Sequence, residues 1–119
     1  MRKLETSVVG MQYRIGMSTR GMLAKHLPAE ISLRREPFNP ADRNAIAVFW
    51  EDKPYTGFQI GYLPREVAAI LAPLMDLKEL EVKKARLVEL DVPKGRGEAV
   101  IVFKAKAKVP AKKKKKKVA

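Results

Sequence analysis

Several aromatic rings in this 119-residue chain stand close to basic side chains. Tyr13 adjoins Arg14, Phe38 lies between Arg34-Arg35 and Arg43, and Tyr62 precedes Arg65 by three residues. Tyr55 and Arg96 complete the set. Aromatic faces stack on exposed nucleobases at about 1–3 kcal/mol each, while Arg and Lys hold phosphates. Tyr13 and Tyr62 are poor candidates for pure core, because each hydroxyl needs a partner. Phe49, Trp50 and Phe103 read as core. Catalysis has far less to stand on. The chain has no Gly-rich phosphate loop, no metal-ligand cluster and no Ser–His–acid set at a workable spacing. Asp42 with Glu36, and Glu66 with Asp76, read as surface charge rather than acid–base pairs. His26, the sole histidine, has no acidic or Cys neighbour and reads as a surface residue. The residues point to a binding module that is not an enzyme and needs no cofactor or metal.

Composition narrows the partner. Nine of the 25 basic residues fall in 104–119, which contains no acid; the other 16 and all 13 acids leave residues 1–103 at only +3 of the total +12. The run Lys112-Lys113-Lys114-Lys115-Lys116-Lys117 repels itself, and the expectation is a disordered tail over 109–119. Such a tail attracts phosphate chains without regard to sequence. It lacks the apolar anchors of a membrane segment, so nucleic acid is favoured and no membrane partner is expected. With no cysteine there is neither disulfide nor thiolate site. No apolar run reaches the ~20 residues of a bilayer span, and the N-terminus lacks the apolar core of a signal peptide. A soluble, monomeric, cytoplasmic protein is expected, nucleoid-associated if bacterial.

The elements that must position these residues follow from pattern. Thr6–Tyr13 is rich in β-branched and apolar residues and reads as a strand, with Gly10 marking a bulge or close approach. Arg14–Leu27, broken by Gly16 and Gly21, reads as a long connection. Ile31 and Leu33 alternate with polar neighbours, and Ala45–Trp50 is nearly all apolar; both predict strands. Between them Arg35–Asn44 is a rigid polar loop. Pro37 and Pro40 exclude helix, and Asn39, Asp42 and Asn44 can bond nearby backbone N–H groups. Phe58–Leu63 forms the second arm of a hairpin, with Phe58, Ile60 and Tyr62 on one face. Pro64 opens the one strong helix, with an apolar stripe of Val67, Ile70, Leu71 and Leu74, and Pro73 ends or kinks it near Ala72. A strand from Leu80 to Leu90 slips phase at Lys83-Lys84, predicting a bulge. Glu98–Lys108 is the last strand, and its lysines resemble the protection of a sheet edge. The sum is an α+β, mostly β domain over 1–103, its last strand running as far as 108. It is a curled six-stranded antiparallel sheet or barrel with one or two short helices.

Three stretches resemble the HIRAN domain. They are Val8-Val9-Gly10-Met11-Gln12-Tyr13, then Leu33 to Val48 with its Arg35-Glu36-Pro37-Phe38-Asn39-Pro40-Ala41-Asp42-Arg43-Asn44-Ala45-Ile46 centre, then Ile60-Gly61-Tyr62-Leu63-Pro64-Arg65-Glu66-Val67-Ala68. The family pattern is roughly V-x-G-x-x-Y, R-E-P-x-N-x-x-D-x-N-A-I and G-Y-L-P-x-E-x-A. The resemblance covers about residues 6–103 and implies a small β-barrel related to the OB type. It also implies capture of the 3′ end of single-stranded DNA and a setting in repair or replication beside a helicase or nuclease. Carried over, Tyr13 matches a stacking aromatic, Asp42 the acid that accepts from the free 3′-hydroxyl, and Arg65 a phosphate-binding residue. Tyr62 occupies another pocket position. Arg14, Phe38 and Arg43 are added as DNA-binding candidates from their residue types. The chain departs at Ala41, where an aromatic is expected, and at Gln12, where a basic residue is expected. No aromatic stands at 99–101, which leaves Phe103 as the nearest substitute. The rival reading from another class is a protein–protein adaptor that recruits a repair or replication enzyme.

Overall fold

The computed structural model describes residues 1–106. Six antiparallel strands form one sheet in the order β1-β6-β5-β2-β3-β4. They are β1 (Arg2–Val8), β2 (Ala29–Arg35), β3 (Ile46–Trp50), β4 (Phe58–Tyr62), β5 (Leu80–Asp91) and β6 (Arg96–Ala105). Three helices interrupt them: α1 (Met11–Arg14), α2 (Met17–Ala24) and α3 (Arg65–Asp76). The sheet curls until its two edges touch. Val9 and Tyr62 exchange both backbone hydrogen bonds, each 2.9 Å, so β1 and β4 meet through one residue pair. The result is barrel-like, joined at a point and not along a full ladder.

Gly61 permits that contact. A Cβ there would lie 2.6 Å from the Val9 carbonyl oxygen, well inside van der Waals distance. The interior is filled from both ends of the chain by Trp50, Met11, Leu23, Ile46, Ile60, Leu87 and Ile101, all fully buried. On α3 the buried face is Ala68, Leu71, Ala72 and Leu74, whereas Ile70 is exposed. The expected stripe is thus rotated toward Ala68 and Ala72, which leaves Ile70 outside.

Other expectations are corrected. The first strand stops at Val8, since Gly10 adopts φ 85° and turns the chain into α1, so Tyr13 is helical. The stretch 14–27 is not a long connection. It contains α2, held despite Gly21 by burying Leu23 and Arg20, whose guanidinium donates to the Val92 and Ile15 carbonyls, both at 2.6 Å. Among the described residues there are three helices, of which α1 and α2 are short. Pro73 lies inside α3, which continues to Asp76; it is exposed, as is Ala69 four residues earlier, the residue to whose carbonyl a proline has no N–H to donate. Pro64 caps α3 from outside and is not its first residue. The bulge is confirmed by a register shift between Val82 and Lys84. β6 is flanked by both β1 and β5 from Gly97 to Phe103, whereas Lys104 lies past the end of β1 and pairs with Glu81 of β5 alone. Lys108 and Lys112–Lys117 lie outside the described residues.

Candidate functional site

The loop between β2 and β3 is built almost entirely from its own polar side chains. Asn39 Oδ1 accepts from the backbone N–H groups of Ala41 (2.9 Å) and Asp42 (3.3 Å). Asp42 Oδ1 accepts from the Asn44 N–H at 2.9 Å. Asn39 Nδ2 donates to Glu36 Oε1, also at 2.9 Å. Each is a short-range bond that stiffens a turn without regular structure. Arg35 clamps the loop from beneath. It donates to the carbonyls of Ala45 (2.7 Å) and Arg43 (3.0 Å) and forms a fork on Asp76 at 2.9 and 3.0 Å. That fork holds the Asp76 carboxyl below its ordinary range. Arg35 is therefore a structural clamp and offers no free cation.

Against this loop the curl of the sheet sets three other elements. From the end of β4, the Tyr62 hydroxyl donates to Glu36 Oε1 at 2.9 Å and accepts from Arg14 Nη2 at 3.3 Å. The Arg14 guanidinium also lies 5.6 Å from the Tyr62 ring centre. From the start of α3, Arg65 Nε lies 3.7 Å from Asp42 Oδ2, and Arg65 Nη2 donates to the Ala41 carbonyl. A continuous rim results: Arg14, Tyr62, Glu36, Asn39, Asp42, Arg65. Tyr13, beside Arg14 on α1, is 86% exposed, so its ring is open to a partner. The hairpin turn at Gly95 (φ 67°) fixes α1 from the other side, for a Cβ there would sit 2.6 Å from the Gln12 nitrogen.

The remaining candidates separate from this rim. Phe38, 95% exposed, and Arg43 project from the same loop. Tyr55 belongs elsewhere: its ring stacks on Trp50 at 4.0 Å, with His26 packed edge-on against both. Arg34 lies over Phe49 at 4.0 Å and pairs with Glu51, so Phe49 is a half-covered outer residue rather than core. The Glu51 carboxyl is lowered, chiefly by the Ser32 hydroxyl and also by Arg34, against the cost of burial. Phe103 is buried opposite Arg2, six register positions from the Val8 end of β1, and cannot replace a pocket aromatic. Glu36 and Asn39 are the residues that sequence reasoning underused. The signal was present in their spacing, since an Asn three residues after a Glu across a proline can fold back onto it. Among the described residues no cluster of three or more His, Cys, Asp or Glu could hold a metal.

Fold and site together define a small curled β domain with an aromatic, acidic and basic rim where its sheet edges join. The HIRAN domain family matches residues 1–108, and the chain belongs to that family. It is 38% identical over 80 residues to the helicase-like transcription factor of Oryctolagus cuniculus, covering 67% of this chain but 7% of that protein. It therefore spans a small fraction of this relative. The crystal structure of the HIRAN domain of human HLTF superposes with TM-score 0.67 at 27% identity, over 85% of this chain and 74% of that one. The NMR structure of the HLTF HIRAN domain in its DNA-bound conformation gives TM-score 0.56 at 28% identity, over 85% and 73%.

Proposed function

We propose that this chain is a DNA-binding module that captures the 3′ end of a single strand and has no catalytic role of its own. The observation that carries the reading is the placement of Asp42 Oδ2 beside Arg65 on a rim that also bears the open Tyr13 ring. In this reading Tyr13 stacks on the terminal base, and Asp42, acceptor-only when ionised, takes the hydrogen bond of a free 3′-hydroxyl. Arg65 and the first N–H groups of α3 receive the adjacent phosphate, as helix starts do for anions. Arg14, Arg43 and Phe38 flank the path of the strand. The DNA-bound conformation known for the HLTF HIRAN domain supports a nucleic-acid partner.

The lysines at 112–117 add affinity for any phosphate chain. Each that displaces a counterion steepens the salt dependence on single strands by about 0.7 log unit per log unit. The module acts in DNA repair or replication next to a helicase or nuclease. A competition assay tests the end-capture reading. A linear single strand should displace a labelled strand far better than a circular one of equal length. Equal displacement would leave a general phosphate binder.

One observation favours the adaptor reading as a second possibility. Ile70 on α3 and Leu77 just past its end are exposed, and Ile70 borders an apolar groove of about 260 Å³ with Val67, Leu74 and Phe103. Charged substitution at Ile70 would abolish a protein partner and leave DNA binding intact.

A further inference from the structure

Tyr62 has one hydroxyl proton, and the structure shows where it goes. Glu36 Oε1, 2.9 Å away, can only accept, so Tyr62 must donate to it. Arg14 can only donate, and its Nη2 approaches the Tyr62 hydroxyl oxygen at 3.3 Å. Tyr62 therefore meets any ligand as an acceptor, with no proton left for a phosphate oxygen. Glu36 is also close to the Asp42 turn. Asn39 gives its Nδ2 proton to Glu36 Oε1 and takes the Asp42 N–H on its Oδ1, so a single amide side chain separates the two segments. Glu36 is half-buried and the structure gives it no cation of its own among the described ion pairs; Arg65 is set on Asp42 instead.

We infer that Glu36 is a second specificity-determining carboxylate. By consuming the Tyr62 proton and adding a negative charge behind Asp42, it makes the rim reject a terminal phosphate and accept a neutral hydrogen-bond donor. This rests on the end-capture reading above and extends it from one acid to two. The roles divide cleanly. Asp42 accepts the donor, whereas Glu36 sets the polarity of Tyr62 and the local field. Arg14 and Arg65, at the two ends of the rim, remain available for phosphates further along the strand.

The test uses the full chain and a 5′-labelled oligodeoxythymidylate ending in either 3′-hydroxyl or 3′-phosphate. Its readout is the ratio of the two dissociation constants. Glu36→Gln preserves both hydrogen bonds, because the amide oxygen still accepts from Tyr62 and Asn39, and removes only the charge. The expected result is a fall of about 3- to 10-fold in discrimination against 3′-phosphate, with little change in affinity for the 3′-hydroxyl end. Glu36→Ala gives the same readout if Glu36→Gln folds poorly, and discrimination lost in Tyr62→Phe, where the Glu36 charge is kept, would assign the rejection to the tyrosine hydroxyl and overturn the role of that charge. An unchanged ratio in Glu36→Gln, with a lowered ratio in Asp42→Asn, would overturn the role of Glu36 and leave end capture standing. Wild-type protein that binds both ends equally would overturn both.

Discussion

Arg65 Nε lies 3.7 Å from Asp42 Oδ2, joining the first residue of α3 to the loop between β2 and β3. The arginine side chain is 75% exposed and that of Asp42 22%, so water screens the pair and it contributes little to stability. In the end-capture reading proposed above, the pair holds a cation where a strand can take it over. Arg65→Ala is expected to leave the thermal midpoint almost unchanged. It should weaken single-strand binding several-fold and flatten the salt slope by about 0.7. A large fall in melting temperature would assign Arg65 to the scaffold instead.

Tyr13 gives the complementary case. A ring that is 86% exposed supports no packing, so Tyr13→Ala should not destabilise the fold. Loss of one stacked base is worth about 1–3 kcal/mol, or roughly 5- to 150-fold in affinity. Titration of a single strand with Tyr13→Ala and with Tyr13→Phe separates stacking from the hydroxyl. The account expects Phe to restore binding.

Acid stability reports on two carboxylates outside the rim. Glu51 is lowered chiefly by the Ser32 hydroxyl, and Asp76 is lowered by the Arg35 fork. A carboxyl held below its unfolded value stabilises the fold fully above that value, 4.5 for Glu51 and 3.8 for Asp76, and the gain is lost as pH falls through the lowered one. The melting temperature should therefore drop on acidification below these values. The drop should be shallower in Glu51→Gln, which starts lower at neutral pH but has less to lose. Parallel curves for the two proteins would contradict this assignment.

Gly61 tests how the sheet edges are joined. Gly61→Ala drives a Cβ into the Val9 carbonyl and should cost about 1–3 kcal/mol, as overpacking commonly does. Single-strand binding should weaken too, because the adjoining Tyr62 is carried out of place. Gly21→Ala is the contrast. Nothing lies within 4 Å of its Cβ position inside α2, so it should stabilise by up to about 1 kcal/mol.

Much of this was legible in the residues. Alternation at Ile31 and Leu33, the apolar run Ala45–Trp50 and the phase slip at Lys83 each reported a local property, and each strand formed. Tyr13, Asp42, Tyr62 and Arg65 were singled out by type and motif, and all four stand on or beside one rim. What stayed hidden depends on distant partners. Gly16 and Gly21 argue against helix locally, but Arg20 reaches across to Val92 and holds α2 in place. Glu36 looked like surface charge because Tyr62, which gives it a proton, is 26 residues away. Arg35 looked like a phosphate ligand until Asp76, 41 residues on, occupied it.

The central claim is end capture, and fluorescence anisotropy tests it most directly. The 119-residue chain would be titrated near physiological salt into a single strand with a free 3′-hydroxyl, the same strand with a 3′-phosphate, and a blunt duplex. The account predicts the tightest binding to the free 3′-hydroxyl, with that preference lost in Asp42→Asn. Equal affinity for all three would contradict it.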